Sequence, residues 1–196
     1  MATTLALAAA VLSGCGEDDA GNGDEVSSGP TSTPSDTLAE TDWGEPATGP
    51  VIRGKGYTYR VPKTWGDVTE QAKKMQGSVD TAAAEKGATD GFADNISVGY
   101  QSFDGTLEDL GSTMATQLET LVAHLEVLPN VTIDGEESLH HRGPAASAGR
   151  KYFLEQFATL RDGRIAIITF SIASSMPAKE RDAMIASIMS SWKWAA

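Results

Sequence analysis

Residues 148–173 read AGRKYFLEQFATLRDGRIAIITFSIA. Within this stretch Arg164–Ala173 sets Ile165 and Ile167 on one side of an extended chain and Ile168, Phe170 and Ile172 on the other. A strand apolar on both sides belongs in the middle of a sheet, with cover over each face. The preceding run, Ala148–Thr159, places Tyr152 and Leu154 on one face and Phe153 and Phe157 on the other. Arg161-Asp162-Gly163 between the two runs is a turn signal, so they pair as an antiparallel hairpin.

Working outward, Val131–Leu139 reads as a further strand. Before it, Leu107, Leu110, Met114, Leu118, Leu121 and Leu125 recur every three or four residues, which predicts a helix from Leu107 to about Leu125. Thr106 and Asp109 have capping-box spacing at its start, and Pro129 and Asn130 mark its exit. Asn95–Phe103 alternates Ile96, Val98 and Tyr100 as a half-buried strand. Upstream, Val68–Met75 predicts a short helix, and the Ala-, Gly- and Asp-rich segment through Asp94 a loop with a partial helix in Val79–Lys86. Tyr57, Tyr59 and Val61 alternate in a first strand that Pro62 ends. A last helix runs from Pro177 to Trp192, burying Ile185, Ile188, Met189 and Trp192. The order of elements predicts an α+β fold, a mostly antiparallel sheet flanked by helices.

Charge divides the 196-residue chain unevenly. Residues 16–50 hold nine acidic side chains and no Lys or Arg, hence −9 of the formal −12. Their only apolar residues are Ala20, Val26, Leu38, Ala39, Trp43 and Ala47, which predicts a disordered linker over 15–50 and a domain over 51–196. The domain's 15 basic and 18 acidic residues offer no excess of cations to displace phosphate counterions, which argues against nucleic acid.

Residues 1–14 read as a signal peptide. Leu5 to Leu12 form an apolar run too short to span a bilayer, which requires roughly 20 helical residues. No Lys or Arg precedes the run, a departure that places the expected translation start upstream of Met1. Leu12-Ser13-Gly14-Cys15 resembles the lipobox of bacterial lipoproteins. The resemblance implies a diacylglyceryl thioether on Cys15, cleavage before it, and a lipid-anchored protein on the extracytoplasmic face of the cell membrane. Two acyl chains, at about 0.8 kcal/mol per buried CH₂, suffice for a stable anchor. Cys15 is the only cysteine, so no internal disulfide contributes.

Tyr57-Thr58-Tyr59-Arg60-Val61-Pro62-Lys63-Thr64-Trp65 is similar to the opening of PsbP/Mog1-like domains, and the long helix, strand meander and terminal helix ending near Trp192 follow the same pattern. With the lipobox and acidic linker, the chain resembles the actinobacterial LpqN/LpqT lipoproteins. That resemblance implies a non-enzymatic envelope protein and transfers no catalytic residue.

The residues themselves point the same way. His140 and His141 are adjacent on a strand and face opposite sides, so they do not share a metal ion unless a bulge intervenes; they read as a solvated strand end before an Arg142-Gly143-Pro144 turn. Glu136 and Glu137 likewise diverge, and Ser147 lacks the Gly-x-Ser-x-Gly elbow of a hydrolase. The Asn95-Ile96-Ser97 and Asn130-Val131-Thr132 sequons belong to a eukaryotic rule and carry no weight. Trp65 and Trp192 read as core, and Trp194 as an exposed residue available to a partner. The expectation is an accessory module with no cofactor, binding the membrane through Cys15 and an envelope protein or precursor through the domain. Alternatives are a small-ligand or lipid carrier, which needs an apolar cavity, and an enzyme, which needs a histidine and a carboxylate together in a concavity.

Overall fold

A computed structural model describes residues 38–89, 91–147 and 149–195. The hairpin of residues 148–173 forms its centre, as β8 (Arg150–Arg161) and β9 (Arg164–Ala173). Asp162 and Gly163 both adopt positive φ, 51° and 68°, the conformation of a tight primed turn. On one side β9 pairs with β5 (Asn95–Ser102), then β4 (Val79–Glu85) and β3 (Trp65–Asp67) follow. Beyond β8 lie β7 (Glu136–Ser147) and β6 (Glu126–Ile133). All of these pairings are antiparallel.

Strand β9 therefore occupies the middle of seven strands and is covered on both faces. Ile165 and Ile167 pack with Ala158 under Leu110 and Met114 of α2 (Leu107–Leu118). Ile168, Phe170 and Ile172 pack with Phe157 under Ile185, Ile188 and Met189 of α3 (Ala178–Ser190). The latter face also carries a three-stranded sheet of β1 (Val51–Gly54), β2 (Tyr57–Arg60) and β10 (Lys193–Trp194), ordered β1-β2-β10. The remaining helix, α1 (Thr69–Met75), lies against β4 through Ala72, Val79 and Ala82. The fold is α+β, as expected.

Several expectations are corrected. The stretch Val79–Lys86 is not a partial helix. Its backbone pairs with both β3 and β5, and Ala82, Ala83 and Ala84 are buried. Sheet pairing on two sides outweighs the fraction of a kilocalorie per residue by which alanine favours helix. Helix α2 ends at Leu118 rather than near Leu125, although Thr106 and Asp109 do form the capping box. The chain there is drawn to β7: Ala123 N–H donates to Pro144 O at 2.8 Å, and Val122 bridges to Ala145. This close approach accounts for Gly143, where a Cβ would sit 2.5 Å from Val122 Cγ1. Arg142-Gly143-Pro144 is thus the interior of β7 and not a turn; Pro144 is tolerated because its carbonyl, and with it its nitrogen, points away from β8 toward Val122-Ala123, which uses only the carbonyl. Val131–Leu139 is two strands, since Asp134 and Gly135 take φ 48° and 85° and fold β6 back onto β7.

The segment 38–50, read as linker, lies on the domain instead. Trp43 meets Phe157 edge to face at 5.7 Å and donates from Nε1 to Thr132 O at 2.9 Å. Thr41 Oγ1 accepts from Thr132 N, and Ala47 N donates to Ser187 O. One large aromatic side chain bought back what the polar composition disfavoured. Trp194 is likewise only half-buried: its Nε1 donates to Ile133 O at 2.8 Å and its backbone pairs with Tyr57. Trp65 and Trp192 are core, 2% and 1% exposed.

Two substitutions check this packing. Trp192→Ala, which removes the ring stacked across Tyr57 and Tyr59, is expected to lower stability by about 3–5 kcal/mol in urea denaturation. Trp43→Ala is expected to shift the same single transition by a smaller amount; an unchanged midpoint would show that 38–50 contributes nothing to the folded body.

Candidate binding cleft

A hollow of about 670 Å³, open to solvent, lies where the β1–β2 hairpin faces α1. One wall is Arg53, Gly54 and Lys55; the other is Asp67 and the first turns of α1, including Thr69, Glu70 and Lys73; Asp80 of β4 is at the base.

The base is rigid for a reason that starts with the alternation of Tyr57 and Tyr59. Both point inward from β2, and the Trp192 ring lies face to face with each, at 4.7 and 5.1 Å between centroids and within 9° and 6° of parallel. Their hydroxyls then reach β4. Tyr57 O–H donates to Asp80 Oδ2 at 2.8 Å. Having spent its one proton there, Tyr57 can only accept from Thr81 Oγ1 at 2.9 Å, so Thr81 in turn accepts from Tyr59 O–H at 3.2 Å. The relay Tyr59 to Thr81 to Tyr57 ends on Asp80, which also takes the Lys55 backbone N–H at 2.8 Å and faces Lys55 Nζ at 3.7 Å. Burial pushes both phenols well above their ordinary range, the Thr81 hydrogen bond opposes it, and the Asp80 charge adds to it. Both phenols stay protonated and act as fixed donors, locking the hairpin tip to the sheet.

The lining residues include no His, Cys or Ser. Thr69 Oγ1 is occupied with the Ala82 backbone, and Asp67 Oδ1 with Thr69 N. What the cleft offers is charge and hydrogen bonding around an open slot. A second hollow of about 370 Å³ lies between α1 and the end of β4, lined by Val68, Met75, Ala84, Ala88 and Ala93 beside Gln71 and Glu85.

The residues singled out from the sequence lie elsewhere. Leu12, Ser13, Gly14 and Cys15 fall outside the described residues. His140 and His141 do face opposite sides of β7, but in mid-strand and not at a solvated end. His140 Nε2 meets Glu155 Oε1 at 2.8 Å, and its ring stacks on Phe157 at 4.4 Å. This pair does not line the cleft. His141, 1% exposed, lies across from Gln156 with Nδ1 lacking a partner. Burial, and secondarily the neighbouring His140, lower its pKa. Among the described residues no group of three His, Cys, Asp or Glu could hold a metal ion. Glu136 pairs with Arg161 and Glu137 with Asn130, so they diverge as expected.

Asp80 and Thr81 are not among the residues the sequence singles out, because the alanines of Val79–Lys86 favour helix over strand locally. The signal in the sequence is the β-branched pair Val79 and Thr81 flanking Asp80.

No family model and no curated protein matches the chain. Among solved structures, LpqN of Mycobacterium tuberculosis, described as involved in cell envelope biogenesis, superposes with a TM-score of 0.52 at 13% identity, over 74% of this chain and 87% of that one. The chain has the LpqN fold. The solution structure of the cyanobacterial PsbP from Synechocystis is similar at a TM-score of 0.46 and 18% identity, over 71% and 86%. A Bacteroides thetaiotaomicron structure matches at 0.47 and 8%, and this chain spans only 45% of its length. The fold agrees with the PsbP/Mog1-like resemblance of the Tyr57–Trp65 stretch and the elements that follow it.

Tyr57→Phe is expected to lower stability by about 1–3 kcal/mol, since it leaves Thr81 and Asp80 each short of a partner, and to speed hydrogen exchange at the Lys55 amide. A pH series tests His141. Its folded pKa is depressed, so the stability held above the ordinary imidazole pKa of about 6.5 is lost as pH falls, because the unfolded chain takes the proton first. Urea midpoints should fall between pH 7.5 and 5.5, and the fall should be smaller in His141→Gln; equal slopes in both chains would remove His141 as the cause.

Proposed function

We propose that this chain is a membrane-anchored lipoprotein of the bacterial cell envelope that acts, without catalysis, as a binding module for another envelope protein or an envelope precursor. The observation that carries the reading is the cleft itself, an open slot with a locked base, charged walls and no Ser, Cys or His in its lining. Such a site recognises by shape, charge and hydrogen bonds. The compartment is supported by the Leu12-Ser13-Gly14-Cys15 motif and by the description of LpqN as an envelope biogenesis protein. No helix among the described residues is long and apolar enough to cross a membrane. The acidic residues beyond Cys15 then act as a spacer between bilayer and body.

A small-ligand carrier is the second reading, favoured by the 370 Å³ hollow, whose mostly apolar lining falls at the low end of the size range of ligand sites.

Cys15→Ser is expected to move the protein from the membrane to the soluble fraction with its circular dichroism unchanged; a variant that stays on the membrane removes the anchor. Crosslinking in intact cells should then recover a defined envelope partner with the native chain. Saturable binding of a fluorescent apolar dye that Met75→Glu abolishes, with no crosslinked partner, would favour the carrier instead.

A further inference from the structure

Strand β1 begins at Val51, and its Arg53 and Gly54 are already a wall of the cleft. A chain that entered β1 straight from the acidic segment would pass beside the cleft mouth. Residues 38–50 take another course. Gly49 N–H donates to Val61 O and Ala47 N–H to Ser187 O, while Gly44 O accepts from Ser190 Oγ, so the segment lies along the last turns of α3. Trp43 then meets Phe157 of β8 edge to face and donates from Nε1 to Thr132 O of β6. Thr41 Oγ1 accepts from Thr132 N–H, and Ala39 O accepts from Thr132 Oγ1. Both backbone groups of Thr132 and its hydroxyl are thus engaged by three residues of one short segment.

That fastening lies across the body from the cleft. Strand β6 is one edge of the seven-stranded sheet, and β4, which carries Asp80 at the cleft base, is second from the other edge. Five strand spacings of about 4.8 Å separate the two, about 24 Å in all. Ordering residues 38–50 costs conformational entropy that a plain spacer has no reason to lose. What the ordering achieves is a displaced point of attachment, from the cleft side at Val51 to the β6 edge at Ala39.

We infer that residues 38–50 are a strap that routes the membrane spacer to the β6 edge, so that this edge is the side of the body nearest the bilayer and the cleft opens on the far side, where a partner reaches it unobstructed by lipid or spacer. The inference rests on anchorage through Cys15 and adds an orientation to it. Residues 16–37 give the spacer an extended reach of at most about 75 Å, at 3.3–3.6 Å per residue, so the body has room to stand clear of the headgroups. The point of attachment, and not contact with lipid, then decides which side faces the membrane.

The test uses the full chain, acylated at Cys15, in phosphatidylcholine nanodiscs. Cys15 is the only cysteine, so an introduced one is the sole free thiol. A donor dye is placed on β6 as Val127→Cys or on α1 as Lys74→Cys, both at exposed positions, and energy transfer to a headgroup acceptor is measured. The β6 donor is expected to transfer about twofold more efficiently, as the separation of about 24 Å between β4 and β6 implies. Trp43→Ala, which loosens the strap, should erase the difference and speed exchange of the Thr132 amide about tenfold, with unfolding still a single transition. Equal transfer from the two sites of the native chain, or more from Lys74→Cys, overturns the routing without recourse to any strap variant. So does a Trp43→Ala chain that keeps the native difference after the Thr132 amide has lost its protection. A chain that Cys15→Ser leaves on the membrane sinks the anchor reading and the routing together; the wrong order of transfer with Cys15 acylated sinks the routing alone.

Discussion

Everything in this body is arranged around a strand that has no polar side to turn to water. Strand β9 places Ile165 and Ile167 on one face and Ile168, Phe170 and Ile172 on the other, all buried. Such a strand is stable only with neighbours at both edges and cover over both faces. Strands β5 and β8 meet the first demand, α2 on one face and α3 with the small sheet on the other meet the second. The small sheet is thus a lid on the core, and its hairpin tip comes to overhang β4.

That overhang creates the cleft. Tyr57 and Tyr59 reach from the lid across the core and end on Thr81 and Asp80, with Trp192 stacked against both rings. The aromatic rings contribute buried area, while the hydroxyls satisfy polar groups that would otherwise be costly at this depth. The same residues that close the core therefore hold Lys55 and the hairpin tip in place over β4.

Legibility in the sequence followed the range of the interactions. The β8–β9 hairpin was plain because alternation and the Asp162-Gly163 turn act within a few residues, and the capping box of α2 was plain because Thr106 and Asp109 are three apart. The Asp134-Gly135 turn is equally local, but the β-branched and apolar residues on both sides of it read as one continuous strand. Val79–Glu85 was misassigned because three alanines favour helix locally, whereas the partners that make it a strand lie in β3 and β5. For the candidate site, Tyr57 was visible as a strand residue, but nothing in its neighbourhood announced Asp80, 23 residues on.

By itself the sequence determined that an α+β body with a central two-faced strand follows an acidic segment and a lipobox-like motif, because composition and periodicity are properties of contiguous residues. Tertiary structure alone decided where α2 stops, that Trp43 and Trp194 pack against the body, and that Tyr57 meets Asp80. Those outcomes depend on which distant surfaces meet: a helix ends where β7 captures the chain, an indole packs where Phe157 awaits it, and a hydroxyl from β2 reaches a carboxylate on β4.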